Sequence, residues 1–219
     1  MNRWISVCRS EHGKCSAWSS SHEGERHMPA RVLDVANDAI RLYLPEDSAR
    51  DEYIALSYCW GSGNPYKTTT SNIEEHLKEI SISALPLSLQ DVVRLTRKVG
   101  FRYLWIDALC IIQDDYDDWL REASKMKAVY SQAFLTISTD MLADTTALFL
   151  DVHRNLERMC RPSSSEEPEN IYVVPTFRTF GDQIKMSPLA KRGWTFQERA
   201  LSSRILHIGQ ESNYWECKE

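Results

Sequence analysis

The sequence predicts an α/β fold: a central, mostly parallel sheet with helices on both faces. Three short runs carry this reading, Tyr53-Ile-Ala-Leu-Ser-Tyr58, Tyr103-Leu-Trp-Ile106 and Phe134-Leu-Thr-Ile-Ser138. Each has strand length and is nearly continuous in apolar residues, as expected of a strand covered on both faces. Helix-length segments separate them, and strands alternating with helices argue for parallel crossovers.

The elements follow in chain order. The first 28 residues are polar and irregular apart from a short helix around Trp4. They carry Cys8-x3-His12-x2-Cys15, with His22 and His27 beyond. Cys and His at this spacing can hold zinc if the loop folds back. The plainer reading has no metal, only an arm packed by Trp4 and Trp18 with incidental thiols. Pro29 opens the main domain, residues 29–219. Runs 31–35 and 39–44 around Asn37-Asp38 read as a hairpin.

The run at 53–58 ends in Cys59-Trp60-Gly61-Ser62-Gly63-Asn64-Pro65. Such a turn can present backbone N–H groups to a phosphate or can simply be sharp. Ser71-x-x-Glu74 and Ser88-x-x-Asp91 look like helix caps. Leu89, Val92, Val93, Thr96 and Val99 share one face of a helix that stops at Gly100.

The run at 103–106 ends at Asp107, and acidic residues at such strand ends sit where open α/β sheets bind ligands. The plainer reading leaves Trp105 in the core and Asp107 capping a turn. The acidic stretch 114–118 favours a helix N-terminus, with the helix running from about 119 to 130. Trp119, Ala123, Met126 and Tyr130 form its apolar face. Glu122 points along that face, so it must be at a pocket rim, paired, or desolvated with a raised pKa. Residues 161–170 read as a surface loop and 171–174 as a strand. A helix then carries Trp194, Gln197, Glu198 and Leu201, and runs 204–208 and 213–217 close the chain as strands.

The totals exclude several classes. A net charge of −5 gives no global argument for nucleic acid. No run approaches the roughly 20 residues of a membrane span, and there is no signal-peptide core. Six scattered cysteines read as reduced thiols, so a cytoplasmic location is the default.

Three blocks, taken together and in order, resemble the fungal heterokaryon-incompatibility (HET) domain: Tyr53-Ile-Ala-Leu-Ser-Tyr-Cys-Trp-Gly61, Tyr103-Leu-Trp-Ile-Asp-Ala-Leu-Cys-Ile-Ile-Gln113 and Arg192-Gly-Trp-Thr-Phe-Gln-Glu198. Tyr214-Trp-Glu-Cys217 resembles the family's closing stretch. The resemblance implies a segment of a longer protein that acts in non-self recognition and triggers death of fused cells. More distantly, 53–58 and Trp119-Leu-Arg-Glu122 resemble Toll/interleukin-1 receptor (TIR) domains. These domains share a flavodoxin-like sheet, and many use a Glu to cleave nicotinamide from NAD.

That resemblance implies a NAD glycohydrolase with NAD as substrate and no cofactor. Glu122 and Asp107 would be catalytic, and Ser57, Tyr58, Trp60, Gly61 and Trp105 would contact the substrate. The alternative is a non-enzymatic death-signalling module acting by self-association or partner recruitment. On that reading Cys110, Gln113, Trp119, Arg192, Trp194, Gln197, Glu198, Trp215 and Glu216 are structural or interfacial.

Overall fold

The computed structural model describes residues 1–21, 27–61, 66–150, 179–191, 193–210 and 212–219. The predicted loop at 161–170, the strand at 171–174, residues 62–65, His22, Arg192 and the Trp18 side chain lie outside that description. The strands are β1 (Val32–Asp34), β2 (Arg41–Tyr43), β3 (Tyr53–Ser57), β4 (Tyr103–Trp105), β5 (Leu135–Ser138), β6 (Arg204–Ile208) and β7 (Asn213–Cys217). They form one sheet in the order β2-β1-β4-β3-β5-β6-β7. β4, β3, β5 and β6 run parallel in its centre, and the flanking strands β1, β2 and β7 pair antiparallel.

β3 is the middle of the parallel set. It pairs with β4 on one side and β5 on the other, with Ile54 opposite both Leu104 and Leu135. Every residue of β3, β4 and β5 is buried, which is why their sequences lack polar alternation. The predicted hairpin forms, with Leu33 opposite Leu42. It continues the sheet through β4 and is not an appendage.

The helices are α1 (Asn2–Ser10), α2 (Gly13–Ser21), α3 (Ile73–Lys78), α4 (Leu87–Lys98), α5 (Asp107–Cys110), α6 (Tyr116–Gln132), α7 (Phe180–Met186) and α8 (Gly193–Leu201). The chain steps from β3 to β4 through α4, then back across β3 to β5 through α6. Right-handed crossovers in opposite directions place α4 and α6 on opposite faces. The β5-to-β6 step continues in the second direction, so α8 packs beside α6. Tyr53 Oη donates to the Val129 carbonyl at 2.6 Å and Tyr130 Oη to the Leu56 carbonyl at 3.0 Å, which ties α6 to β3.

Several local expectations change. Neither Ser71 nor Ser88 caps a helix: α3 is preceded by Asn72 and α4 by Pro86, without side-chain caps. Asp91 lies inside α4, buried, and accepts the Phe149 and Leu150 N–H groups at 2.7 and 2.9 Å. A sequence pattern cannot separate a cap from a polar residue recruited by a distant loop. α6 starts earlier than expected, because Asp115 accepts from the Asp117 and Asp118 N–H groups and is its N-cap. Gly100 ends α4 with φ +89, a conformation suited to glycine.

Candidate functional site

The parallel strands read 2-1-3-4 in sequence order, so the winding direction reverses beside β3. Open α/β sheets bind ligands outside the carboxyl ends of the strands at such a reversal. β3 delivers Ser57, Tyr58 and the Cys59-Trp60-Gly61 turn to that edge, and β4 delivers Asp107. Gly61 has φ +83, and a Cβ there would meet the Asp144 Cβ at 2.6 Å, so only glycine fits this turn.

Asp107 is fixed at both oxygens. Its Oδ1 accepts the Ala108 N–H at 2.7 Å, and its Oδ2 accepts the Trp60 indole N–H at 2.9 Å. Gln113 Nε2 donates to the Asp107 carbonyl at 2.9 Å. A cleft of about 230 Å³ opens here, lined by Trp60, Asp107, Ile111, Gln113, Trp119, Ala123, Met126, Trp194 and Glu198. Three tryptophans and two carboxylates thus share one opening. Glu198 arrives on α8 and accepts a hydrogen bond from Ser57 Oγ at the end of β3.

On the far side of Ser57 lies a second cavity of about 140 Å³, lined in part by Ser57, Ser138, Asp140, Arg199 and His207. A polar chain runs along it. His207 Nδ1 is 2.6 Å from Asp140 Oδ2, and its Nε2 is 2.9 Å from Glu216 Oε2. Arg199 grips Glu216 with two bonds of 2.8 and 3.1 Å. Burial pushes the His207 pKa down, but the Asp140 and Glu216 carboxylates outweigh it and hold it above the ordinary value. Burial likewise raises Glu216, but hydrogen bonds from His207 and Arg199 bring it down to about 2. With His207 protonated, which both carboxylates favour, the chain reads carboxylate, imidazolium, carboxylate, guanidinium, with each charge facing its opposite.

The residues singled out from sequence separate into groups. Trp60, Asp107, Gln113, Trp119, Trp194 and Glu198 meet in the cleft. Trp105 is fully buried beneath it, edge-on to the Tyr130 ring. Tyr58 is buried, and Gln197 is exposed. Glu122 is only 2% exposed, with Lys125 Nζ 3.1 Å from its Oε1 and Arg121 Nε 3.9 Å away. It is not in the cleft lining, although the charges of both Asp107 and Glu122 act on the Cys110 thiol. Burial pushes that thiol up to about 12.

On α6 the rows exchange roles relative to expectation. Trp119, Ala123 and Met126 face the cleft, with Trp119 44% exposed. Asp118, Glu122, Val129 and Tyr130 are buried. Asp118 accepts from Arg31 and from the Ile112 N–H, and burial is outweighed so that its pKa falls. Sequence reasoning missed Asp140, Arg199 and His207. The available signal was a histidine inside the apolar run 204–208. It also missed Cys217 as a companion of Cys8, His12 and Cys15.

The family described as heterokaryon incompatibility protein (HET) matches residues 53–198. Among curated proteins, the heterokaryon incompatibility protein 6, OR allele, of Neurospora crassa is 31% identical over 99 residues, covering 42% of this chain. The match spans 15% of that protein's length. No solved structure matches. The family match spans the β3 turn, Asp107, Trp119 and the α8 carboxylate that meet in the cleft, so this chain belongs to the heterokaryon incompatibility (HET) family.

Proposed function

We propose that this domain is an effector of heterokaryon incompatibility in fungi, triggering death of fused cells, and that its cleft hydrolyses NAD. One observation carries the reading. The family's separate blocks contribute Trp60, Asp107, Trp119, Trp194 and Glu198 to one cleft at the winding reversal. Indole faces can stack a nicotinamide or adenine ring. The nicotinamide–ribose bond breaks with its electron pair leaving on the ring nitrogen, through an oxocarbenium-like state that a carboxylate stabilises. Water then adds to the ribosyl carbon and gives up one proton.

Glu198 is the carboxylate assigned to the developing cation. Asp107, oriented by Trp60, is assigned to a ribose hydroxyl or the incoming water. Glu122, which the TIR resemblance would nominate, is engaged by Lys125 and Arg121 and lies outside the lining. We assign it to holding α6 in place.

The test is nicotinamide release from NAD by the purified chain at high protein concentration. Release that Glu198→Gln and Asp107→Asn each abolish, with folding intact, is the expected result. Release unaffected by either substitution sinks the assignment.

A second reading has one favouring observation. Phe196 is 78% and Trp194 60% exposed on the same helix. Apolar side chains standing out in this way suit self-association or partner recruitment without catalysis. No nicotinamide release from a self-associated parent, together with loss of association in Phe196→Ser, would favour it.

A further inference from the structure

The N-terminal helices and the last strand meet at four donors that the cleft does not use. α1 supplies Cys8, the following turn His12, α2 Cys15, and β7 supplies Cys217 from the far end of the sequence. Their ligand atoms all lie within 4.8 Å of one another. His12 Nδ1 is 3.3 Å from Cys217 Sγ. A tetrahedral zinc ion bound at about 2.3 Å by sulfur and about 2.0 Å by nitrogen holds its ligands roughly 3.5–3.8 Å apart. These donors need only small side-chain adjustments to close on one ion.

The surroundings suit thiolates. Buried Arg204 donates from Nε to Cys8 Sγ at 3.2 Å and from Nη2 to the Cys15 carbonyl at 3.4 Å. Such outer donors orient and tune metal ligands. Three thiolates and a divalent ion leave one negative charge, which the Arg204 guanidinium offsets.

We propose that Cys8, His12, Cys15 and Cys217 bind one zinc ion in a closed Cys3His site. Four protein ligands leave no open position, which marks the site as structural and not catalytic. Three thiol protons leave as the metal enters. The ion would clamp α1 and α2 to the β7 edge. Both helices have nine residues, too few to be stable alone. The proposal is independent of the cleft's chemistry.

The test begins with the full chain, produced in zinc-supplemented cells, purified without chelator and assayed for metal. One zinc per chain is expected. Cys217→Ser and His12→Ala should lose it on dialysis, whereas Cys59→Ser should keep it. If those variants do not fold, alkylation of the native parent decides. Cys8, Cys15 and Cys217 should be shielded until a chelator is added, then react. Cobalt substitution should produce the absorption of a tetrahedral thiolate site. A folded, metal-free parent whose three thiols react without chelator overturns the proposal, as does a disulfide among them by mass spectrometry. Zinc retained by folded Cys217→Ser overturns this donor set.

Discussion

Two regions stand side by side along the carboxyl edge of the sheet, divided by the Ser57–Glu198 hydrogen bond. Over β3 and β4 the edge is open and aromatic, and Asp107 and Glu198 face the cleft among tryptophans. Over β5 and β6 the edge is ionic, with Asp140, His207, Glu216 and Arg199 satisfying one another around the second cavity. The contrast lies in the company the carboxylates keep. In the ionic half the neighbours are cations from the protein itself, so the arrangement holds the fold. In the open half Asp107 is met by an indole and a backbone N–H, and Glu198 by a hydroxyl. Both carboxylates line the cleft, where the proposed reaction would develop positive charge.

The largest expected effect lies in the ionic half. Asp140→Ala leaves the buried imidazolium short of a counter-charge and should cost about 3–5 kcal/mol, read by urea unfolding. A loss near zero would mean the two regions do not differ as described. Next is Glu198→Gln in the open half. It should cut NAD cleavage by about 100-fold, or about 2.7 kcal/mol in the barrier, while stability falls by no more than about 1 kcal/mol. Trp60→Phe keeps an aromatic ring but removes the indole N–H from Asp107 Oδ2, and should lower turnover by about tenfold through misorientation.

Smaller still is Glu122→Gln. Its partner Lys125 is half exposed and readily hydrated, so the loss should be about 1 kcal/mol or less, with turnover per folded molecule unchanged. A collapse of turnover in this variant would transfer the chemistry from α8 to α6.

The pH response should be gradual. His207 is raised in the fold above its unfolded value of about 6.5, so its contribution is whole below about 6.5 and is lost as the pH rises through the folded pKa. Glu216 sits at about 2 in the fold, so its contribution is whole above its unfolded value and is lost as the pH falls towards that figure. Thermal melts should therefore be highest at mildly acidic pH, between unfolded values of about 4.3 and 6.5. They should decline on the alkaline side, and Asp140→Asn should flatten that decline.

Much of the architecture was readable in advance. The runs at 53–58, 103–106 and 134–138 became β3, β4 and β5, and the hairpin and both closing strands formed. Trp60 and Asp107, nominated from strand ends, are hydrogen-bonded to each other. Glu122 illustrates the harder case. Spacing put it on the face of Trp119 and Met126, but that face opens to the cleft and Glu122 lies in the buried row beside it. Lys125, one turn on, is the partner in the structure.

The sequence by itself determined the strands of the sheet and helices α4, α6 and α8, because the period of a strand or helix is set by neighbours a few residues apart; it did not show α2 or α7. It also determined the family, because the blocks are contiguous and ordered. Only the tertiary structure decided which blocks meet. Glu198 reaches Ser57 because α8 follows a crossover that returns it beside α6. Cys217 reaches Cys8, His12 and Cys15 because β7 pairs back along β6. His207 lies between Asp140 and Glu216 because β5, β6 and β7 are neighbours. These contacts follow from strand order and crossover hand, which belong to the whole chain and leave no local period to read.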